Sequence, residues 1–156
     1  MDTTTIQDNA LALYQSLLQQ WNKRQASGMA GLFASNGILI GFDGSQLNGQ
    51  REIYVVLDEI FSNCPTAAYI SIVKEIRVLS DSSVVLTAVV GMVAEGHSDI
   101  SPEVNAVQSM TAMLEEGKWR VALLQSTPAA FHGRPEMAEQ LSADLRHVLQ
   151  SSATQN

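Results

Sequence analysis

The chain has 156 residues, with 9 Lys+Arg against 16 Asp+Glu and a formal net charge of −7. Charged residues are 16% of it and hydrophobic residues 46%, against roughly 25% charged in an average soluble domain. A chain this acidic has no basic footprint for a phosphate backbone, which excludes nucleic acid as a partner, and it is too apolar to stay disordered. The length suits one domain, expected over residues 1–150 with a polar tail at 151–156. The lone Cys64 allows no intrachain disulfide. The opening MDTTTIQDN has neither a basic region nor an apolar run, and the longest apolar stretch, 84–94, is too short to cross a bilayer. The expectation is a cytoplasmic protein with no membrane partner.

Ile6, Ala10, Leu13, Leu17 and Trp21 recur at spacings of three and four, with Tyr14 and Leu18 beside them, which predicts an amphipathic helix over 4–25. Ser27 reads as the cap of a short helix over 28–33, and Asn36-Gly37 as a turn. A short strand is expected at 38–42, a turn at Asp43-Gly44, and a third helix over 49–61, with Pro65 just beyond its end. The pattern then becomes β-branched. Strands are expected at 69–79, with Ile70, Ile72, Ile76 and Val78 in one phase, and at 83–94, apolar at both parities. After a polar loop at 95–102, strands follow at 104–114 and 119–127, joined by the hairpin turn Glu116-Gly117. Pro135 opens a closing helix over 135–150.

This order predicts an α+β domain with its helices on one face of a curved antiparallel sheet. The strand at 84–94 is apolar on both sides, so both sheet faces need cover, and too few helices remain for the second. A second subunit supplies that cover, and a homodimer is expected.

Several local stretches carry a resemblance. Gln20-Trp21-Asn22 followed by Met29-Ala30-Gly31-Leu32-Phe33-Ala34 resembles the opening of the nuclear transport factor 2-like superfamily. Gly41-Phe42-Asp43-Gly44-Ser45-Gln46-Leu47-Asn48-Gly49, and the stretches from Gly96-His97-Ser98-Asp99 to Gln108 and from Gly117-Lys118-Trp119-Arg120 to Pro135, are similar to its SnoaL-like, SgcJ/EcaC-type subgroup. The resemblance spans about residues 5–148. It implies a nuclear transport factor 2-like (cystatin-like) cone, in which helices pack on a strongly curved antiparallel sheet around a pocket. It does not imply one reaction, because the superfamily hosts isomerases, dehydratases, cyclases and assembly domains.

Ketosteroid isomerases of this superfamily use a Tyr and two Asp residues. A gapless count places those positions at Leu17, Gly41 and Ser109, so the set is absent. An Asp–Arg–Asp set for water activation is not met either, since only Glu75 alternates with Arg77 and Arg120. Asp43 is the leading acid, as a general base if buried at the pocket rim or as a turn residue if its carboxylate accepts local N–H groups. His97 and His132 are the further catalytic candidates; with Asp99 they make too thin a set for a metal, and no metal or other cofactor is expected.

Trp21, Phe42 and Phe131 are expected at the pocket. The same gapless count turns Asn105, Ser109, Leu124 and Ser126 toward it, and turns Gln108, Met110 and Gln125 toward a partner subunit; a one-residue slip exchanges the sets. The leading expectation is a homodimeric cone that binds a small apolar molecule, with an accessory role in secondary metabolism. An oligomerisation module without catalysis and an acid–base enzyme on the same pocket are the alternatives.

Overall fold

Helix α1, Thr3–Asn22, opens the chain in the computed structural model, which describes residues 2–154. The Asp2 carboxylate caps it by accepting the Thr4 N–H. Its buried residues are Ile6, Ala10, Leu13, Tyr14, Leu17 and Leu18, the stripe that the spacing predicts. Helix α2, Ala26–Ala30, follows, starting before Ser27, with Gln25 at the N-cap position and no side-chain cap.

Strand β1, Phe33–Ile40, runs through Asn36-Gly37, where a turn was expected. Instead the pairing shifts between Phe33 and Ile38, and β1 lies so close to its neighbour that a Cβ on Gly37 would meet the Val121 carbonyl at 2.8 Å. Glycine at 37 therefore serves a bulge. The Asp43-Gly44 turn leads into β2, Gln46–Asn48, a strand that periodicity missed. Helix α3, Gln50–Asn63, buries Ile53 and Leu57.

The long strands are β3 (Ala68–Ser80), β4 (Ser83–Val93), β5 (Ala106–Glu115) and β6 (Lys118–Pro128). A 3-10 turn, Pro102–Val104, precedes β5. Helix α4, Pro135–Thr154, closes the fold. It absorbs most of the expected polar tail; residues 155 and 156 lie outside the described residues.

The six strands form one sheet in the order β2-β1-β6-β5-β4-β3. Five strands were foreseen, but not that β1 pairs in parallel with β6, which makes the sheet mixed. Its inner face carries Val84, Leu86 and Ala88 of β4 opposite Ala112, Met110 and Gln108 of β5, and packs against α1, α2 and α3. Its outer face was expected to await a second subunit. Part of it is covered by the chain's own α4, whose Leu141 and Leu145 pack on Ile70, Ile72, Val89 and Val93. Gly91 makes room for that helix, since a Cβ there would lie 3.1 Å from Leu145 Cδ1.

Two bulges set which residues face inward. In β3 the pairing passes from Val73↔Ala88 to Glu75↔Thr87, with Lys74 extra. Tyr69, Ser71 and Val73 then share the inner face with Ile76 and Val78, while Ile70 and Ile72 turn outward. In β6 the pairing passes from Ala112↔Val121 to Thr111↔Leu123, with Ala122 extra. An extra residue reverses side-chain parity along the strand.

Candidate functional site

The helices and the inner sheet face enclose a cavity of about 360 Å³, within the roughly 300–1,000 Å³ range of ligand pockets. Leu18 and Trp21 of α1, Val56, Leu57 and Ile60 of α3, and Leu39 and Leu124 of the sheet give it apolar walls. The segment from Gly41 to Leu47 lines its mouth, where Phe42 and Asp43 are exposed. Trp21 is fixed on two sides. Its Nε1 donates to the Ala67 carbonyl at 2.8 Å, and its ring meets Phe61 edge-on at 5.2 Å.

The deep end is polar and neutral. The Tyr14 hydroxyl donates to Gln108 Oε1 at 2.7 Å, and Gln108 Nε2 donates to Ser126 Oγ at 3.2 Å. Gln108 is 1% exposed, and a carboxamide so buried needs such partners. Tyr69 stands beside Gln108 and Ser126, and burial pushes its phenol up to about 12 against the opposing pull of those two side chains. Burial, reinforced by the Tyr69 phenol, also raises Tyr14, while the Ser71 hydroxyl favours its ionised form. Both phenols therefore stay protonated near neutral pH.

Asp43 does not have the environment of a general base. It is exposed, and its Oδ1 accepts the Ser45 N–H at 2.9 Å. The Ser45 backbone and side chain hold the carboxyl below the usual carboxylate value. This is the turn arrangement, with Gly44 at φ +89°.

His97 and His132 are exposed and line no part of the cavity. Asp99 pairs with neither. Its Oδ1 accepts Arg146 Nε at 3.0 Å, which ties the loop before Pro102 to α4 and lowers the Asp99 carboxyl below its ordinary value. Phe131 also lies away from the cavity, in the outer cluster with Leu141 and Leu145, under the Arg134 guanidinium at 5.8 Å.

Of the residues expected at the pocket, Trp21, Phe42, Leu124 and Ser126 line it, as does Asp43. The others require correction. Asn105 and Ser109 face outward, Asn105 donating to Ser142 of α4 at 3.0 Å and Ser109 pairing beside Gln125. Gln108 and Met110, expected at a partner subunit, face inward opposite Ser126 and Leu124. On β5 the alternation runs unbroken, with Ala106, Gln108, Met110 and Ala112 inward, so Asn105 and Ser109 fall on the other face; on β6 the extra Ala122 turns Leu124 and Ser126 inward with Val121. Gln125 does lie on the outer face. Tyr69 and Gln108 are the polar cavity residues that periodicity missed. The weak signal was the broken alternation Val73-Lys74-Glu75, which marks the β3 bulge.

No protein-family profile matches the chain, and no curated protein does. Solved structures match its fold. A cystatin-like domain of unknown function from Nostoc punctiforme aligns at a TM-score of 0.76 and 20% identity, over 99% of this chain and 100% of that one. A putative calcium/calmodulin-dependent protein kinase type II association domain from Thiobacillus denitrificans aligns at 0.66 and 13%, over 75% of this chain and 92% of its own. A ketosteroid isomerase-like protein from Erwinia carotovora atroseptica aligns at 0.63 and 14%, over 79% and 95%. Identities this low speak to architecture alone. The chain has the cystatin-like, nuclear transport factor 2-like α+β fold, with helices on an open six-stranded mixed sheet.

Proposed function

We propose that this chain is a small-molecule-binding cone of the SnoaL-like, SgcJ/EcaC type, working in the cytoplasm as an accessory protein of secondary metabolism. The observation that carries the reading is the cavity of about 360 Å³ with apolar walls and a hydrogen-bonded neutral end at Tyr14, Gln108 and Ser126. The acid–base alternative needs a proton acceptor near the substrate, and the lining offers only the exposed, acid-shifted Asp43. The exposed free thiol of Cys64 suits a reducing compartment.

The test is titration with N-phenyl-1-naphthylamine, a neutral apolar fluorophore. Saturable binding is expected, and Leu124→Trp, which fills the cavity from the sheet side, should abolish it while the fold persists by circular dichroism. Equal binding by both proteins would place the dye elsewhere and remove the basis of the reading.

We further propose that two copies associate through the part of the outer face that α4 leaves open. Val107 and Met113 are exposed there, beside Val85, Thr111, Leu123 and Gln125. Apolar side chains exposed together on a sheet face favour a self-complementary contact.

A further inference from the structure

The neutral end of the cavity is directional. A glutamine carboxamide has an accepting oxygen and a donating nitrogen. The Tyr14 hydroxyl approaches from α1 and occupies Gln108 Oε1 at 2.7 Å. That contact holds the nitrogen toward Ser126, on the cavity lining. Nε2 has two protons and Ser126 Oγ receives one of them, at 3.2 Å. The Tyr69 hydroxyl stands at the same place, its oxygen drawing on Gln108 and Ser126, so that its own proton is left for a ligand. Trp21, the other polar aromatic in the lining, has its N–H taken by Ala67. The site is thus set to donate.

Charge narrows the choice. Among the described residues, no Lys, Arg or His lines the cavity, and the one carboxylate, Asp43, sits at the mouth. An anion driven inward would lose its hydration with no cation to meet it.

We propose that the cavity selects a neutral, mainly apolar carbonyl compound, of the ketone or ester class, whose oxygen accepts from the Tyr69 hydroxyl in the cluster that Gln108 and Ser126 complete, and that it rejects the matching carboxylate. This rests on the reading of the cavity as a ligand site. The raised phenols of Tyr14 and Tyr69 agree with it, since both keep their protons across the neutral range.

Three compounds of one shape, measured by displacement of N-phenyl-1-naphthylamine at neutral pH, separate the terms. They are 2-acetylnaphthalene, 2-isopropenylnaphthalene and 2-naphthoate. The ketone should bind about five- to tenfold more tightly than the hydrocarbon, as one or two net hydrogen bonds allow, and at least about tenfold more tightly than the carboxylate. Gln108→Leu should erase the advantage of the ketone and leave the hydrocarbon bound. Should that variant fail to fold, Tyr14→Phe, which frees the carboxamide to rotate, should shrink the same advantage. Equal binding of ketone and hydrocarbon by the natural protein would overturn the proposal while leaving the apolar ligand site standing. So would tight binding of naphthoate, or an advantage that survives both substitutions. If none of the three displaces the dye, the ligand-site reading fails and this proposal fails with it.

Discussion

The Tyr14–Gln108 hydrogen bond ties α1 to the middle of the sheet across 94 positions of sequence. Removing the hydroxyl leaves a buried carbonyl oxygen unpaired, and such losses cost about 1–3 kcal/mol. Tyr14→Phe should lower unfolding stability by that amount in urea titration at neutral pH. The two phenols add an alkaline limit. Their pKa values are raised on folding, so their contribution is full below about pH 10 and is lost as pH rises toward the Tyr69 value of about 12. Absorbance titration at alkaline pH should show these two tyrosines ionising only as the fold is lost. Asp43 and Asp99 act with the opposite sign. Their carboxyls are depressed by the Ser45 N–H and by Arg146, so what they contribute is present above about pH 4 and is lost on further acidification. Carboxyl-detected NMR should find both below the ordinary carboxylate value; a raised Asp43 would restore it as a candidate general base. The Asp43 turn was legible in sequence because Asp-Gly chemistry is local. The Gln108 network was not, because its partners come from α1 and β6.

At the level of elements, single extra residues set the faces of two strands. Lys74 divides β3 so that Ile70 and Ile72 lie under α4 while Ile76 and Val78 lie in the main core. Ala122 reverses the alternation of β6, so that Leu124 and Ser126 face inward with Val121, opposite Met110 and Gln108. Alternation read along one strand marks such an insertion only weakly, as at Val73-Lys74-Glu75, because a bulge is defined by the partner strand it interrupts. The helices were easier to read. The α1 stripe and the Pro135 start of α4 depend on spacings within the helix itself. The position of α4 depended instead on Gly91, which leaves space for Leu145. Gly91→Val should destabilise the protein by about 1–3 kcal/mol through overpacking. Because the crowded contact is on the outer face, the affinity of the cavity for N-phenyl-1-naphthylamine should stay unchanged in the fraction that folds.

For the whole molecule, the low charge content has three destinations. One is the main core under α1 to α3, one is the small cluster under α4, and one is the outer sheet surface that no element covers. The third supports the dimer proposal and gives it a narrow test. Sedimentation should report twice the 16.9 kDa chain mass, and Met113→Glu with Thr111→Arg should return the protein to a monomer with its dye binding intact. A monomeric natural protein at micromolar concentration would remove the dimer without touching the cavity. The independence follows from the sheet, whose two faces serve the two proposals separately.

By itself, the sequence determined the kinds of element, most of their limits and the α+β class, while the cone was implied only by the resemblance of its local stretches. It also determined the turn at Asp43 and the lack of basic surface. These follow from local propensity, helical spacing and composition, which act over a few residues or over none in particular. The tertiary structure decided the parallel pairing of β1 with β6, the placement of α4 on the outer face and the inward aim of Gln108. Each depends on where two distant segments meet. Because strand faces alternate at every residue, a single bulge is enough to exchange cavity and surface.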